Sequence, residues 1–180
     1  MDKAGTVSRR RFAAGAVTTM MVTALEAHSM GRPRMRNSEN DPGGDAMTTL
    51  TPYLLFDGNC KQAMEFYKSC LGGELTQMQV GDSPAKEFMP PYQHQKIVNA
   101  RLKSGNIDIS ASDWLRPDRE RIQGNTVCLY LSAGSPEELR LLFERLSEGA
   151  KVTDPLKEMF FGTYGALNDK FGVRWMFHCV

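Results

Sequence analysis

Apolar and polar residues follow the same pattern in two parts of the chain. In the first, the apolar run 53–56 is followed by the turn residues 57–59 and by apolar side chains at helical spacing up to Gly73. In the second, the run 127–131 is followed by a short turn and by apolar side chains at helical spacing up to Gly149. Matching residues lie 76 positions apart. The pattern predicts two copies of one unit, each beginning with a strand and an amphipathic helix.

Both predicted helices are flanked by residues that favour helix ends. Asn59 and Ser135 are types that cap a helix N-terminus, and Pro136 suits the first position of the second helix. Gly73 and Gly149 suit the C-terminal caps. We therefore predict that the helices begin just after Asn59 and Ser135 and end just before the two glycines.

Three short runs with strand character follow each predicted helix. In the first unit they are residues 74–80, 96–102 and 106–112, and in the second 151–153, 160–167 and 173–179. The order strand, helix, strand, strand, strand is thus used twice. We predict an α+β fold of two βαβββ modules, about 50–112 and 126–179, whose curled mixed sheets surround a central cleft. One main helix per module lies on the outside.

Two short motifs carry a family resemblance. Residues 51–60, TPYLLFDGNC, open the first unit, and residues 169–176, DKFGVRWM, lie close to the end of the second. With the repeat and the helix that ends in Leu71-Gly72-Gly73, they resemble the vicinal oxygen chelate (glyoxalase/bleomycin-resistance) superfamily over residues 47–180. Within it the PhnB-like branch is the most similar. The resemblance implies paired βαβββ modules and a homodimer.

Relatives in this branch often carry a label related to demethylubiquinone methyltransferase. A Rossmann-like nucleotide site would need a glycine-rich loop directly after the opening strand, and this chain has none there. We therefore do not expect methyl transfer.

The resemblance also implies a metal site, because superfamily enzymes usually hold a divalent metal with His, Glu or Gln from the first and last strands of both modules. The corresponding positions fall near Pro52, Cys128, Ser110 and Met176. Proline has no side-chain donor, serine is a poor ligand, and a cysteine with a methionine suits only a soft metal. We expect no conventional metal centre and no cofactor.

The three histidines form no evident constellation. His28 lies in the N-terminal segment, and His94 lies in the polar stretch 90–95, where we predict a solvent-facing ring. His178 has the strand parity of Met176, so it either faces the cleft or frays at the chain end.

Strand parity predicts which side chains line the cleft. If Val127, Leu129 and Leu131 pack beneath the helix, the alternate residues of that strand face the cleft, and by the repeat so do Pro52, Leu54 and Phe56. The candidate ligand-binding residues are Asn99, Arg101, Asp108, Ser110, Cys128, Tyr130, Tyr164 and Met176. Such a mixed polar and aromatic lining suits a small organic ligand. The alternative is that these side chains simply fill the mouth of the barrel.

Two further stretches have two interpretations each. Residues 113–121 join the modules, and their charges favour a solvated linker over a binding patch, with Trp114 a candidate to cover the cleft. The aromatic and glycine-rich run 160–165 resembles the pocket rim of PhnB-like relatives, or else it is an aromatic core strand.

The four cysteines offer few pairing options. Cys60 and Cys70 fall on one predicted helix, where a ~1.5 Å rise per residue puts their Cα atoms ~15 Å apart. That exceeds the ~7 Å limit for a disulfide, so they cannot pair. Cys128 and Cys179 lie on predicted strands and are either free thiols or a disulfide.

The first 46 residues differ in character from the rest. Ser8-Arg9-Arg10-Arg11-Phe12 precedes an uncharged stretch, 13–25, and resembles a twin-arginine export signal. Ala24, Ala27 and Ser29 offer cleavage sites, and 32–45 has the composition of a disordered linker. We predict a signal-like segment and linker over 1–46, a single domain over 47–180, and export to the periplasm. The alternative is a cytoplasmic protein whose native start is Met47.

Net charge and hydropathy limit the classes of binding partner that we expect. The formal net charge is +1, so there is no basic excess of the kind that binds nucleic acid. No apolar run reaches the roughly 18 residues of a membrane span, so we expect no stable span. The expected partners are an unidentified small organic molecule and a second copy of the chain.

Two functional classes remain open. A binding or sequestering module of the drug-resistance type needs a cleft but no catalytic acid, base or metal, and the missing ligands favour it. The alternative is an enzyme of the lyase or dioxygenase type, metal-independent or with an atypical site around Asp108, Cys128 and His178. The spacing indicates no nucleophile and base pair. A third possibility is a dimeric scaffold without a ligand.

Overall fold

A computed structural model describes residues 48–180 of the chain. The predicted export signal, its cleavage sites, the linker 32–45 and His28 lie outside the described residues. Among the residues described, no helix is both long and apolar enough to cross a membrane.

The described residues form two helices and eight strands in the predicted order, used twice. The first module contains β1 (Tyr53–Phe56), α1 (Cys60–Leu71), β2 (Glu74–Gln79), β3 (Ile97–Ser104) and β4 (Ile107–Asp113). The second contains β5 (Leu129–Ser132), α2 (Pro136–Leu146), β6 (Lys151–Met159), β7 (Gly162–Asn168) and β8 (Arg174–Cys179). Three short 3-10 turns lie between β2 and β3, at Val80–Asp82, Pro84–Glu87 and Pro91–Gln93.

Each module forms one mixed sheet of four strands. The strand order is β1-β4-β3-β2 in the first sheet and β5-β8-β7-β6 in the second. In both, the first strand pairs parallel with the last and the remaining pairs are antiparallel. The sheets are not closed into a barrel. The predicted α+β class with two βαβββ modules is confirmed.

Both helices and both sheets contribute to one hydrophobic core. Tyr67 of α1 is fully buried and its ring meets Trp175 of β8 edge-on, with centroids 5.4 Å apart. Phe143 of α2 packs in the same way on Phe177 of β8. Arg145 of α2 donates a hydrogen bond of 3.2 Å to a backbone carbonyl of α1. The two modules are therefore joined through the first helix and the last strand.

The repeat shifts by one residue between the strands and the helices. The helices begin 76 positions apart, as predicted. The strands also begin 76 positions apart, but their buried residues, Phe56 and Leu131, lie 75 apart. One more residue separates Leu131 from α2 than separates Phe56 from α1. A one-residue slip reverses the face of every side chain in a strand.

This shift corrects the predicted lining from β1. Phe56 is 3% exposed and packs on the ring of Phe171, and Leu54 packs against the same core. Tyr53, not Leu54, pairs with Ser110. Leu54 and Phe56 therefore face the core, opposite to the predicted cleft side of their sheet, because the repeat was extended into the strand without the extra connecting residue.

Strand β6 is longer than predicted because it continues through Pro155. It runs over Lys151–Met159 at the edge of its sheet, with irregular pairing on either side of Asp154. Proline is tolerated at sheet edges and bulges, since no ladder hydrogen bond is lost there. The sequence-based prediction ended this strand at residue 153.

The two helix N-termini are capped in different ways. Ser135 accepts a hydrogen bond from the backbone N–H of Glu138, as predicted. Asn59 makes no such bond. Instead Asp113, at the end of β4 and 3% exposed, accepts hydrogen bonds from the N–H of Cys60 (2.9 Å) and of Ile97 (2.7 Å). One buried carboxylate thus holds the start of α1 and the start of β3 together.

The glycines predicted as C-terminal caps lie just beyond the caps, because Gly72 caps α1 and Ser147 caps α2. After α1, Gly73 has a φ of 85°, and a Cβ at this position would overlap the backbone carbonyl of Lys103. Only glycine satisfies both conditions.

The DKFGVRWM motif organises the last turn and the core around one carboxylate. Asp169 is 5% exposed and accepts hydrogen bonds from Tyr67 Oη (2.6 Å) and Trp175 Nε1 (2.9 Å). Its other oxygen accepts from the N–H of Phe171 and of Val173. The motif that carries the family resemblance therefore has a structural role.

Lys170 follows Asp169 in the sequence, and Tyr67 donates a hydrogen bond to Asp169. The Lys170 Nζ lies 3.9 Å from the centre of the Phe66 ring and pairs with Glu148 at 2.8 Å. Burial, and then the adjacent Asp169, raise the pKa of the Tyr67 hydroxyl, which stays protonated.

Candidate functional site

The eight predicted ligand-binding residues divide equally between two sheet faces. In the first sheet, Arg101 pairs with Ser110, and strand alternation puts Asn99 and Asp108 on the same face. In the second, Tyr130 pairs with Met176 and Tyr164 pairs with His178, all on one face. The Cys128 thiol lies 3.0 Å from the Met176 sulfur. Both faces lie opposite to the core.

A groove between the modules brings three of the eight together. It has a volume of about 520 Å³, and Asp108, Cys128 and Tyr130 line it. We call it the junction groove. Its remaining walls come from the start of the domain, β4, β5, α2 and β8: Leu50, Pro52, Asn106, Ile107, Ile109, Leu129, Leu131, Ser132, Glu138, Leu142 and Trp175. Asn99, Arg101, Ser110, Tyr164 and Met176 do not belong to this lining.

The charged side chains that line the junction groove are acidic. Asp108 and Glu138 are the two charged residues of the lining, which holds no lysine or arginine. Arg101 binds Asp108 through two hydrogen bonds, one of 2.8 Å from Nε. These hydrogen bonds lower the pKa of Asp108 below its ordinary value and raise the pKa of Arg101. Asp108 is therefore a hydrogen-bond acceptor at neutral pH and not a general acid.

An aromatic cluster lies beside the groove on the same face as Tyr130. The rings of Tyr130 and His178 stack, with centroids 6.0 Å apart and planes inclined by 27°. Phe161 contacts both His178 and Tyr164, and Phe160 contacts Phe161. Phe160 is 97% exposed and Phe161 is 42% exposed. The first two residues of the run 160–165 therefore form an exposed turn, whereas residues 162–165 belong to β7, in which Gly165 is buried.

The histidines are held more firmly than predicted. His178 is half-buried and its Nε2 lies 2.9 Å from the carbonyl oxygen of Phe161, so it does not fray. His94 is half-buried, with Nε2 3.0 Å from the carbonyl oxygen of Met89. The predicted solvent-facing ring at His94 was wrong, because the loop folds back on itself through three short turns.

Cysteine geometry excludes disulfides within the described domain. All four cysteines are free, and Cys60 and Cys70 lie on one helix as predicted. Cys128 lies level with Arg174 on the parallel strand β8, so Cys179 is roughly 16 Å further along at ~3.3 Å per residue. Cys128 is half-buried and the other three are buried.

The residues of the site do not fit the divalent metal that the family resemblance implies. The expected positions bring together a thiol and a thioether, Cys128 and Met176, beside Tyr130 and Arg174. Carboxylates and imidazoles, which such ions need with open coordination positions, do not converge there. Within residues 48–180 no group of three or more His, Cys, Asp or Glu side chains could hold a metal ion.

The atypical catalytic site around Asp108, Cys128 and His178 is not assembled either. Cys128 contacts Met176, while His178 contacts Phe161 and Tyr130. In the part of the chain that the structure describes, no hydrogen bond joins Cys128 to His178, as a nucleophile and base pair would need.

Sequence patterns missed the residues that close the groove. Strand alternation placed Leu131 beneath the helix and did not select Trp175 or Ile109, yet all three form groove wall at the seam between the sheets while being largely buried. Glu138 and Leu142 come from α2. Only the packing of one module on the other identifies them.

The linker between the modules is only partly solvated. Residues 116–120 are exposed, as predicted. Trp114 is half-buried, and its Nε1 donates a hydrogen bond of 2.8 Å to the carbonyl of Arg119. Trp114 lines two pockets beside the linker and does not line the junction groove.

Comparison with known proteins agrees with this geometry. The family model described as Glyoxalase/Bleomycin resistance protein/Dioxygenase superfamily matches residues 49–177. Protein YjdN of Escherichia coli (strain K12) is 31% identical over 141 residues, which cover 73% of this chain and 95% of that protein.

Two solved structures extend the comparison. Protein PA1353 from Pseudomonas aeruginosa superposes with a TM-score of 0.67 at 36% identity, covering 74% of this chain and 98% of that chain. A PhnB protein from Bacillus cereus, described as a putative 3-demethylubiquinone-9 3-methyltransferase, superposes with a TM-score of 0.60 at 20% identity. It covers 74% of this chain and 100% of that chain, and it shows the shared fold alone. The chain belongs to the glyoxalase/bleomycin resistance protein/dioxygenase superfamily.

Proposed function

We propose that this protein binds a small neutral or cationic organic molecule in the junction groove, without a metal ion. The ligand has a planar apolar part, which packs on Tyr130, and a hydrogen-bond donor, which binds Asp108. The observation that carries the proposal is the combination of apolar walls with Asp108, Cys128 and Tyr130 in one groove of about 520 Å³.

Groove chemistry supports binding over catalysis. Ligand sites are typically apolar hollows with a few polar groups that fix orientation. Asp108 is held ionised by Arg101, and Tyr130 is 58% exposed with its ring stacked on His178. An exposed ring that is already held in place loses little conformational freedom when a second ring stacks on it.

One set of probes that differ only in charge tests this proposal. Naphthylmethylamine, naphthylmethanol and naphthoate share a ring system and are positive, neutral and negative. We expect the amine to bind the full chain most tightly and naphthoate most weakly in this groove. NMR provides the readout, because the backbone amide signals of Cys128 and Leu129 report on the groove that these residues line.

Variants locate the binding. Tyr130→Ala is expected to weaken binding of the amine about tenfold, since stacking and ring burial are lost. Tyr53→Ala is the matched control, because Tyr53 is similarly exposed (51%) on the other sheet and does not line the groove. Equal losses in the two variants, or no response of the Cys128 and Leu129 amide signals to any probe, would contradict the proposal.

We further infer that the protein belongs to the PhnB-like branch and forms a homodimer. Exposed apolar side chains on the open sheet faces support association: Tyr53, Leu55, Met78, Tyr130, Met159 and Phe161. Exposed apolar side chains mark interaction sites in soluble proteins where they form a contiguous patch. Sedimentation equilibrium should give a dimer mass, and a monomer at all concentrations would refute it.

Export by the twin-arginine-like segment is also proposed, on the sequence of residues 8–25 alone. Mass spectrometry of the mature N-terminus in a native host tests it. A protein that begins near Leu25 or Met30 would support export, and one that begins at Met47 would refute it.

A further inference from the structure

A second pocket, distinct from the junction groove, lies beside the linker. We call it the linker pocket. It has a volume of about 380 Å³, which is within the range of small-molecule sites. Its walls come from the turn after β1, from the last 3-10 turn before β3, and from the linker between the modules. No residue lines both this pocket and the junction groove.

Positive charge is concentrated in the linker pocket. Four basic residues line it: Lys96, Arg116, Arg119 and Arg121. Asp57 and Glu120 also line it, so basic residues exceed acidic ones by two. Arg119 pairs with Asp118 at 3.7 Å on the surface, and Lys96 donates to the Trp114 carbonyl. Between residues 48 and 180, Arg116 and Arg121 form no ion pair.

Two buried polar atoms of this lining have no hydrogen-bond partner. Gln93 is 1% exposed, and its Oε1 is unpaired while Nε2 donates to Tyr92 Oη at 3.2 Å. The buried Nε of Arg121 is also unpaired. Leaving such groups unpaired costs about 1–3 kcal/mol each, so native proteins rarely retain them without a reason.

The amide and the guanidinium together select the ligand chemistry. If the Gln93 amide is turned over, Tyr92 still pairs with it and an unpaired N–H donor takes the place of the oxygen. That donor and the Arg121 guanidinium are suited to an oxyanion, which guanidinium groups bind with strong, directed hydrogen bonds. The indole of Trp114 provides an aromatic wall in the same pocket.

We propose that the linker pocket binds a small organic anion, a ring that carries a carboxylate or a phosphate group. Arg116 and Arg121 hold the oxyanion, Gln93 hydrogen-bonds to it, and Trp114 packs on the ring. The site is independent of the junction groove and has the opposite charge preference.

Titration of the full chain with 1-naphthoate and 1-naphthyl phosphate tests this site and distinguishes the two anions. Binding should shift the indole N–H signal of Trp114, which Trp114→Phe assigns by its absence, with 1-naphthylmethanol as the uncharged control. Arg116→Gln and Arg121→Gln should each weaken binding of the tighter-binding anion about tenfold. Arg140→Gln, on the exposed side of α2, is the matched control and should leave the affinity unchanged.

Gln93→Leu separates a binding role from a structural one. Replacing this buried amide, one of whose two polar atoms is unpaired, by an apolar side chain of similar size is expected to raise the midpoint of thermal unfolding, because Tyr92 is 67% exposed and water can replace its lost partner, while binding of the anion weakens. The proposal is overturned if neither anion shifts the Trp114 signal, if the alcohol shifts it equally, or if both arginine variants bind like Arg140→Gln. A failure of the junction groove appears separately, at the amide signals of Cys128 and Leu129.

Discussion

Asp169→Asn is expected to lower the free energy of unfolding by about 3 kcal/mol. The carboxylate accepts four hydrogen bonds while it is almost fully buried, two of them from Tyr67 and Trp175. An amide of the same shape has only one acceptor oxygen, so the Trp175 indole N–H or the turn N–H groups then face another donor. Buried hydrogen bonds to a charged group contribute about 1.5–3 kcal/mol each, and breaking such a network costs more than one bond.

Urea unfolding of the full chain, followed by tryptophan fluorescence, measures this loss. Asp82→Asn is the matched control, because Asp82 is exposed in a short turn, and its effect should stay within about 0.5 kcal/mol. Tyr67→Phe removes one of the four donors, and the double variant with Asp169→Asn should lose less than the sum of the two single losses. Full additivity would show that Tyr67 and Asp169 act independently.

Asp113→Asn is expected to lower the free energy of unfolding by about 2 kcal/mol, because each of the carboxylate oxygens of Asp113 accepts a hydrogen bond from a different backbone N–H. After the change, the amide NH₂ faces either the start of α1 or the start of β3, and that backbone N–H stays buried without a partner. Hydrogen exchange should then accelerate at Cys60 or Ile97.

Asn59→Ala provides the sharpest control for this result. Asn59 is the residue that the sequence predicts as the helix cap, but its side chain makes no cap hydrogen bond. We expect Asn59→Ala to change the free energy of unfolding by less than about 0.5 kcal/mol. A larger loss for Asn59→Ala than for Asp113→Asn would contradict the structure and restore the sequence-based assignment.

Periodicity was sufficient to predict the secondary structure and its repetition. Strand alternation and helical spacing depend on neighbouring residues, so β3, β4, α1 and α2 lie close to their predicted bounds. The turn chemistry of Ser135 and Pro136 was also predicted correctly, because each acts on the backbone next to it.

Features that depend on distant residues were not predictable. Asp113 replaces Asn59 as the cap because β4 runs beside β1, and Asp169 reaches Tyr67 because the last turn packs on α1. The single extra residue before α2 reversed the expected faces of Leu54 and Phe56. Three of the eight predicted site residues meet in the junction groove, whose other walls include core residues exposed only at the seam between modules.

Cys128 is a natural reporter for occupation of the junction groove. It lines the groove and is half-buried, whereas the other three cysteines are buried. Burial, together with the nearby Asp113, raises the pKa of the Cys60 thiol to about 12, and burial also raises the pKa of Cys70. Because thiolates are the reactive form, a thiol reagent should modify Cys128 first.

The rate at which iodoacetamide modifies Cys128, followed by mass spectrometry with and without naphthylmethylamine at about ten times its native Kd, tests the proposed binding site most directly. We expect the bound amine to slow the reaction about tenfold in the native chain and in Tyr53→Ala, but only about twofold in Tyr130→Ala, whose sites are about half occupied at this concentration. An unchanged rate at Cys128 while the amine is bound would show that the ligand lies elsewhere, and the assignment of the junction groove would be wrong.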